Sequence, residues 1–291
     1  RKLPFFKNFE RANSTALNLL RANAYDVLYA YHTKLDGVEP TPEQGRNIAR
    51  QVNIMSGRGE FGKFELARPV GSKILFSPGH TISRFQYALG GALWTGDAKS
   101  RIVLTVAYAQ TIVCLSAMLG LAWYASGSDK WIETDPRSPD FLKIKMGQTR
   151  LDLMAGMSQA IVFMSRMASR QTKKGDKVVP LTGPTLKFGQ QDLGDVVGGF
   201  ARSKLNPFLG AGFNAWSEKD FQGNPSDVET ELNKLYKPIT WSDIADAYQA
   251  QGLAKGVGLG IAAMLGAGVT TYQPRKPKPK PQKDPLSGAF H

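Results

Sequence analysis

Apolar positions recur along this chain at helical spacing through most of its length. From Phe9 to Asp36, Ala16, Leu20, Ala24, Val27 and Tyr31 share one face while Arg11, Arg21 and Asp26 lie elsewhere, which predicts a long amphipathic helix ended by Gly37. Thr41-Pro42-Glu43-Gln44 then offers an N-cap, a proline in the first turn and a Gln three residues after the cap, so a second helix is expected from there to about Gly57. After an irregular stretch, Ser77-Pro78-Gly79-His80 reads as a turn, followed by a helix over Thr81 to Trp94.

The longest signal is the run from Ile102 to Ala125, which contains no charged residue. It is long enough to cross a hydrocarbon core, which takes roughly 20 helical residues. Lys99 and Arg101 flank one end, and Trp123 and Tyr124 sit where an interfacial anchor belongs. Thr105, Gln110, Thr111 and Ser116 dilute the apolarity, and the chain as a whole is slightly polar by mean hydropathy. Two readings stand: a helix buried in a protein core or assembly, and a helix inserted in lipid. Ile102, Leu104, Val113, Leu115, Leu119, Trp123 and Tyr124 are its candidate contact residues.

The pattern switches to period two only in the middle. Phe141 to Asp152 places Gly147-Gln148 between two short alternating runs, which predicts a β-hairpin with glycine first in a two-residue loop. In that register Ile144 faces Leu151 and Met146 faces Thr149, while Lys143 faces Asp152 and Lys145 faces Arg150. Opposed like charges destabilise a strand pair unless an anion or an acidic group lies beside them. Lys143, Lys145 and Arg150 are therefore candidate anion contacts, the alternative being that Lys145 and Arg150 splay apart as solvated side chains.

Beyond the hairpin, Leu153 to Arg170 reads as a helix with Met154, Met157, Ile161, Met164 and Ala168 on one stripe, which suits ordinary core packing or a surface that changes partners. Gln171 to Pro184 is a basic loop or short hairpin. Leu193, Val196, Val197 and Phe200 mark another helix, and Pro207 opens a turn or helix carrying Phe208, Phe213 and Trp216. Phe221 to Pro225 is a turn, Ser226 caps Asp227 to Tyr236, and Thr240 to Asp243 cap a further helix. Gly256 to Tyr272 is weakly polar and glycine-rich, suited to close helix contact or membrane contact.

Charge adds a partner class. The net charge of +13 points to anionic partners: nucleic acid, acidic lipid or an acidic protein surface. The last segment alternates proline with Arg275, Lys276, Lys278, Lys280 and Lys283, which reads either as a solvated linker or disordered end or as an extended cationic rod suited to a channel or a nucleic-acid backbone. The chain opens at Arg1, which suggests a fragment or a processed product, and RKLPFFKNFERANST lacks the apolar core of a secretory signal.

Candidate chemistry is sparse. His32, His80 and His291 lie far apart in sequence, the single cysteine, Cys114, sits in the apolar run, and no metal-ligand spacing or phosphate loop is present. Gly57-Arg58-Gly59-Glu60-Phe61-Gly62 matches a dinucleotide fingerprint but follows a predicted helix where that fold needs a strand. Its glycines read as loop glycines. Glu60 and Glu65 have no third group to make them a hydrolytic pair. No enzyme activity, cofactor or metal is expected.

Five segments taken in order carry a resemblance: FERANSTALNLLRANAYDVLYA from Phe9, MSGRGEFG from Met55, LFSPGHTISRF from Leu75, DPRSPDFLKIKMGQTRLDLMAGMSQAIVFMSRMASR from Asp135, and RSKLNPFLGAGFNAW from Arg202. Together they resemble the C-terminal region of very large internal, ejection-type virion proteins of tailed bacteriophages. The resemblance implies a non-enzymatic structural or interaction module of the virion interior, assembled near the portal and assisting genome ejection into the host. It implies the portal or other virion proteins and further copies of the chain as partners, with contact to the DNA backbone and to the host membrane, and a place in the host cell envelope after ejection. The alternatives are a membrane-active channel component of the ejection apparatus and a support domain for a larger virion-associated enzyme.

The expected architecture is mainly α. A multi-helix domain with one small β-hairpin occupies residues 1–272, with a subdivision near 130–140, and an extended basic tail occupies 273–291.

Overall fold

A computed structural model describes residues 4–94, 96–126, 132–154, 156–184, 186, 190–218, 226–236 and 268–271. The basic tail, the turn at 221–225, the helix start at 240–243 and residues 256–267 lie outside the described residues.

The fold is mainly α with small antiparallel sheets. Helix α1 (Pro4–Lys34) ends at Gly37, whose φ of 76° and N–H bond to the Thr33 carbonyl at 2.8 Å close the last turn. Helix α2 (Pro42–Met55) carries the expected capping box: Thr41 accepts from the Gln44 N–H, and the Gln44 side chain accepts from the Thr41 N–H. The covered face of α1 is rotated from the expected stripe. Arg21, Tyr25, Leu28, Tyr29 and His32 face the body, while Ala16, Leu20, Ala24 and Val27 are exposed. Polar anchoring sets this face, because Arg21 Nε donates to Ser56 Oγ at 2.7 Å and so ties α1 to the end of α2.

The stretch expected to be irregular is largely helical. A 3-10 turn at Gly62–Ala67 leads into α3 (Arg68–Ile74), whose Pro69 sits in the first turn, where its missing N–H breaks no helical bond. The expected helix to Trp94 is two pieces, α4 (Pro78–Ala88) and α5 (Gly91–Trp94), separated at Gly90 with φ 64°. Helix α6 (Ala98–Ser126) contains the uncharged run.

Strands β1 (Lys143–Met146) and β2 (Thr149–Asp152) pair in the expected register, and Gly147 takes a φ of 57° at the first loop position. An unexpected third strand, β5 (Gly268–Thr271), pairs with β2, so the end of the glycine-rich segment is sheet. Val269 is buried there against Met146 and Leu151. Helix α7 (Met157–Ser169) buries Ser158, Ala160 and Val162, leaving Met157, Ile161 and Met164 only half-buried. Of the two options for 171–184, the hairpin is present: β3 (Gln171–Lys174) pairs with β4 (Lys177–Pro180).

Helices α8 (Leu193–Ser203), α9 (Pro207–Trp216) and α10 (Val228–Tyr236) follow. The cap of α10 is Asp227, which accepts from the Thr230 N–H at 2.8 Å. Ser226 instead donates to Glu231, which is buried and also accepts from Asn214 of α9.

Among the described residues, two further groups pack the helices together. Ile48 and Val52 of α2, Tyr87 of α4, and Val103 and Leu104 of α6 are buried where those helices meet. Phe85 of α4, Phe163 of α7 and Phe200 of α8 form an aromatic group with ring centroids 4.4 to 6.0 Å apart, joining the first helices to the second half.

Candidate functional site

Helix α6 is anchored firmly at its base and thinly covered along its length. Asp97 caps it, accepting from the Ser100 N–H at 3.2 Å and from Gln44 Nε2 of α2 at 3.1 Å. Burial pushes the Asp97 carboxyl up, but the bonds from Ser100 and Gln44 outweigh it and hold the group below the usual carboxylate range. Lys99 Nζ reaches Asp36 at 2.5 Å and the Val38 carbonyl at 3.1 Å, stapling α6 to the chain leaving α1. Tyr87 of α4 stacks on Tyr108 at 4.4 Å, and the Tyr108 hydroxyl donates to the Tyr87 carbonyl.

Past this anchor the helix meets little of the described chain. Leu104 and Leu119 are buried and Leu115 is half-buried, so the covered positions of the outer half form one narrow stripe. Ile102, Ile112, Met118 and Leu121 are exposed, Val113 is 67% exposed, and Tyr124 is 83% exposed. Trp123 is half exposed. Within the single chain the base of the helix is core and most of the remainder is exposed apolar surface. At 1.5 Å per residue the helix is about 40 Å long, enough to cross a bilayer. Apolar residues lie on every side, and such a helix is stable in water only when another surface covers it. Cys114 is exposed on it.

The hairpin cations meet carboxylates of the same chain. Lys145 and Arg150 do lie opposite each other, but Arg150 Nε donates to Asp140 at 3.0 Å and Lys145 Nζ is 3.8 Å from Glu133. Glu133 also receives Lys173 of β3 at 2.8 Å. Burial raises Glu133 and the Lys173 bond outweighs it, so the group stays below its ordinary value. The acidic groups that the opposed charges required are thus internal. Lys143 faces Asp152 at the end of the strand pair away from the loop, and Asp152 is occupied by the Met154 N–H and Ser158 Oγ. Beside the hairpin an open cleft of about 620 Å³ is lined by Glu133, Asp135, Arg137, Ser165, Ser169 and Lys173. Arg275, Lys276, Lys278, Lys280 and Lys283 lie outside the described residues.

A third place escaped the sequence reading. The loop of Gly57 to Gly62 packs on the start of α4: the Gly59 N–H donates to the Gly79 carbonyl at 2.9 Å, and a Cβ on Gly57 would lie 2.8 Å from His80 Nδ1. These glycines serve close packing, in keeping with the loop reading. From the other side, the Phe76 N–H donates to the Lys204 carbonyl at 2.7 Å and the Asn206 N–H to the Ile74 carbonyl at 2.8 Å. His80 and Arg84 on α4 are brought near Lys204, whose Nζ donates to Gln159 Oε1 of α7 at 2.7 Å. Sequence spacing gave no signal for this junction, because it joins residues more than a hundred positions apart through backbone bonds.

Among the described residues no three His, Cys, Asp or Glu side chains are grouped to hold a metal ion. No protein family, curated protein or solved structure matches the chain.

Proposed function

We propose that this chain is a non-enzymatic assembly module of an internal virion protein of a tailed phage, gathered near the portal and assisting genome ejection, with α6 as its contact element. One observation carries the reading: a 29-residue helix, clamped at its base by Asp97, Lys99 and Tyr108, presents an outer half of uncovered apolar side chains. Exposed apolar surface of this extent marks an interaction site rather than a finished exterior. The net charge of +13 suits a protein held beside packaged DNA. The resemblance of the five segments supplies the phage context.

A second reading, a membrane-active channel component, is favoured by the distribution of residues along α6. Lys99 and Arg101 stand at one end, Trp123 and Tyr124 at the other, and the outer half between them is exposed and apolar on every side but one narrow stripe. In that reading lipid covers the helix after delivery.

Val113→Asp separates these roles from folding. Val113 is exposed, so the variant keeps its melting temperature within a few degrees. It loses self-association in sedimentation if other copies cover α6, and loses co-flotation with anionic vesicles at high salt if lipid does. A variant that assembles and floats like the parent removes α6 from the function.

A further inference from the structure

We propose that the junction of α4, α7 and the α8–α9 corner is a phosphate-binding site built from His80, Arg84 and Lys204. The site is separate from α6 and independent of the function assigned to that helix.

Three basic side chains meet there from two parts of the chain. Arg84 Nε donates to His80 Nε2 at 3.3 Å, one turn back on α4. Lys204 is half-buried, extends over the Phe200 ring at 5.2 Å and spends one of its three donors on Gln159. Among the described residues neither Arg84 nor Lys204 has an ion-pair partner. The carboxylate acting on Arg84 is Asp152, which is buried and held by the Met154 N–H at 2.8 Å and Ser158 Oγ at 2.6 Å. The terminal nitrogens of Arg84 and two hydrogens of Lys204 thus remain as donors without a built-in acceptor. A guanidinium and an ammonium left half-buried without a counter-charge are costly unless an anion supplies it. Elsewhere this chain satisfies its cations internally, as Arg150 with Asp140 and Lys173 with Glu133 show.

The donor set suits phosphate. A planar guanidinium beside an ammonium offers several converging N–H groups to a compact oxyanion with several acceptors. Ser77 gives α4 no side-chain cap, so the positive end of that helix adds to the field. His80 supplies a proton-linked element. Burial, Arg84 and Lys204 all lower its tendency to protonate, and in the neutral form it accepts from Arg84. An anion reverses that balance: His80 takes up a proton, Nε2 becomes a donor, and Arg84 is released to the ligand. The groups facing His80 are Arg84 on its own helix, Lys204 from the corner, neutral Gln159 from α7, and Asp152 behind Arg84.

The test uses the full chain and follows the His80 ring signal by NMR, assigned among three histidines with His80→Gln. Inorganic phosphate is titrated at constant ionic strength and pH 6.5. Saturable movement of the His80 signal in the millimolar range is expected. Lys204→Gln and Arg84→Gln should each weaken binding about tenfold, Lys204→Arg should restore most of it, and Lys73→Gln on neighbouring α3 should change it less than twofold. Sulfate, whose charge is constant over this range, should bind several-fold more tightly at pH 5.5 than at pH 8, with a rise of about one unit in the His80 pKa. Competition by a short single-stranded oligonucleotide assigns the phosphate to nucleic acid, and its failure to compete assigns it to a free anion. No saturable shift at tens of millimolar phosphate, with circular dichroism showing an intact fold, overturns the proposal. Equal weakening by Lys73→Gln overturns it too, since diffuse charge would then explain the binding.

Discussion

Gly59 and Gly79 are joined backbone to backbone, the Gly59 N–H donating to the Gly79 carbonyl at 2.9 Å, at a spot where no side chain fits between them. A Cβ built on Gly59 would lie 2.6 Å from the Gly79 oxygen and closer still to the Ser83 nitrogen. Both are backbone atoms of α4, so neither can rotate away. Gly59→Ala should therefore destabilise the chain by about 2–3 kcal/mol, read as a lower urea midpoint with unchanged slope. Gly120→Ala, in open space on α6, should be neutral or slightly stabilising by the gain in helix propensity. Equal effects at the two sites would show that the loop does not pack on α4 as described.

Asp140 makes the opposition of Lys145 and Arg150 tolerable. The ion pair is mostly shielded, with about one-sixth of each side chain exposed. Asp140→Asn should cost about 1–2 kcal/mol, and adding Arg150→Gln should recover part of it, giving a coupling of about 1 kcal/mol in the double-mutant cycle. Zero coupling, measured by denaturation, would make this a solvated surface pair.

His32 gives the base of α6 a pH dependence. It is fully buried, and neither ring nitrogen has a hydrogen-bond partner. Burial, helped by the Lys99 charge, lowers its pKa below the ordinary 6.5, while Asp97 and Asp36 pull weakly the other way. The unfolded chain then binds more protons than the native one just below pH 6.5, so this contribution to stability is complete above that pH and declines as pH falls. His32→Leu should reduce the slope of stability between pH 6.5 and 5 relative to the parent, leaving the part due to His80, whose pKa is also lowered. Because its nitrogens are unpartnered, the substitution should cost little at pH 8. Asp135, held at about 2 by the Arg137 guanidinium, contributes at a lower window: its share is intact above about pH 4 and lost as pH falls towards 2. An unchanged slope in His32→Leu melts at pH 5 to 6.5 would contradict the burial of a neutral imidazole.

Much of the helical architecture was legible because its signals are local. The Thr41 box, Gly37 and the Gly147 loop each act within four residues, and each sits where its chemistry requires. The face of α1 was misread because Arg21, Tyr25 and His32 are polar by composition yet are the residues covered, which only the Ser56 partner and the packing of α6 determine. Strand β5 was hidden among glycines that suggested helix contact, since its pairing depends on β2, over a hundred residues away. For the opposed hairpin cations the sequence allowed either an acidic neighbour or two side chains splayed apart in solvent. That the neighbours are Glu133 and Asp140 follows from the bridges that lay Ile132 and Glu133 alongside Ile144 and Phe141. The exposure of α6 was not readable, because an uncharged run looks the same whether protein, lipid or nothing covers it.

The most direct measurement of the central claim uses the one cysteine, Cys114, exposed on the outer half of α6. An environment-sensitive fluorophore on Cys114 reports directly on what covers the helix. In dilute protein the account predicts a water-like emission. On concentration, or on addition of anionic vesicles in high salt, it predicts a blue shift and loss of quenching by aqueous iodide, abolished by Val113→Asp with the fold intact. A probe already shielded in the dilute monomer, or one that stays water-like under every assembly and vesicle condition, would contradict the assignment of α6 as the contact element.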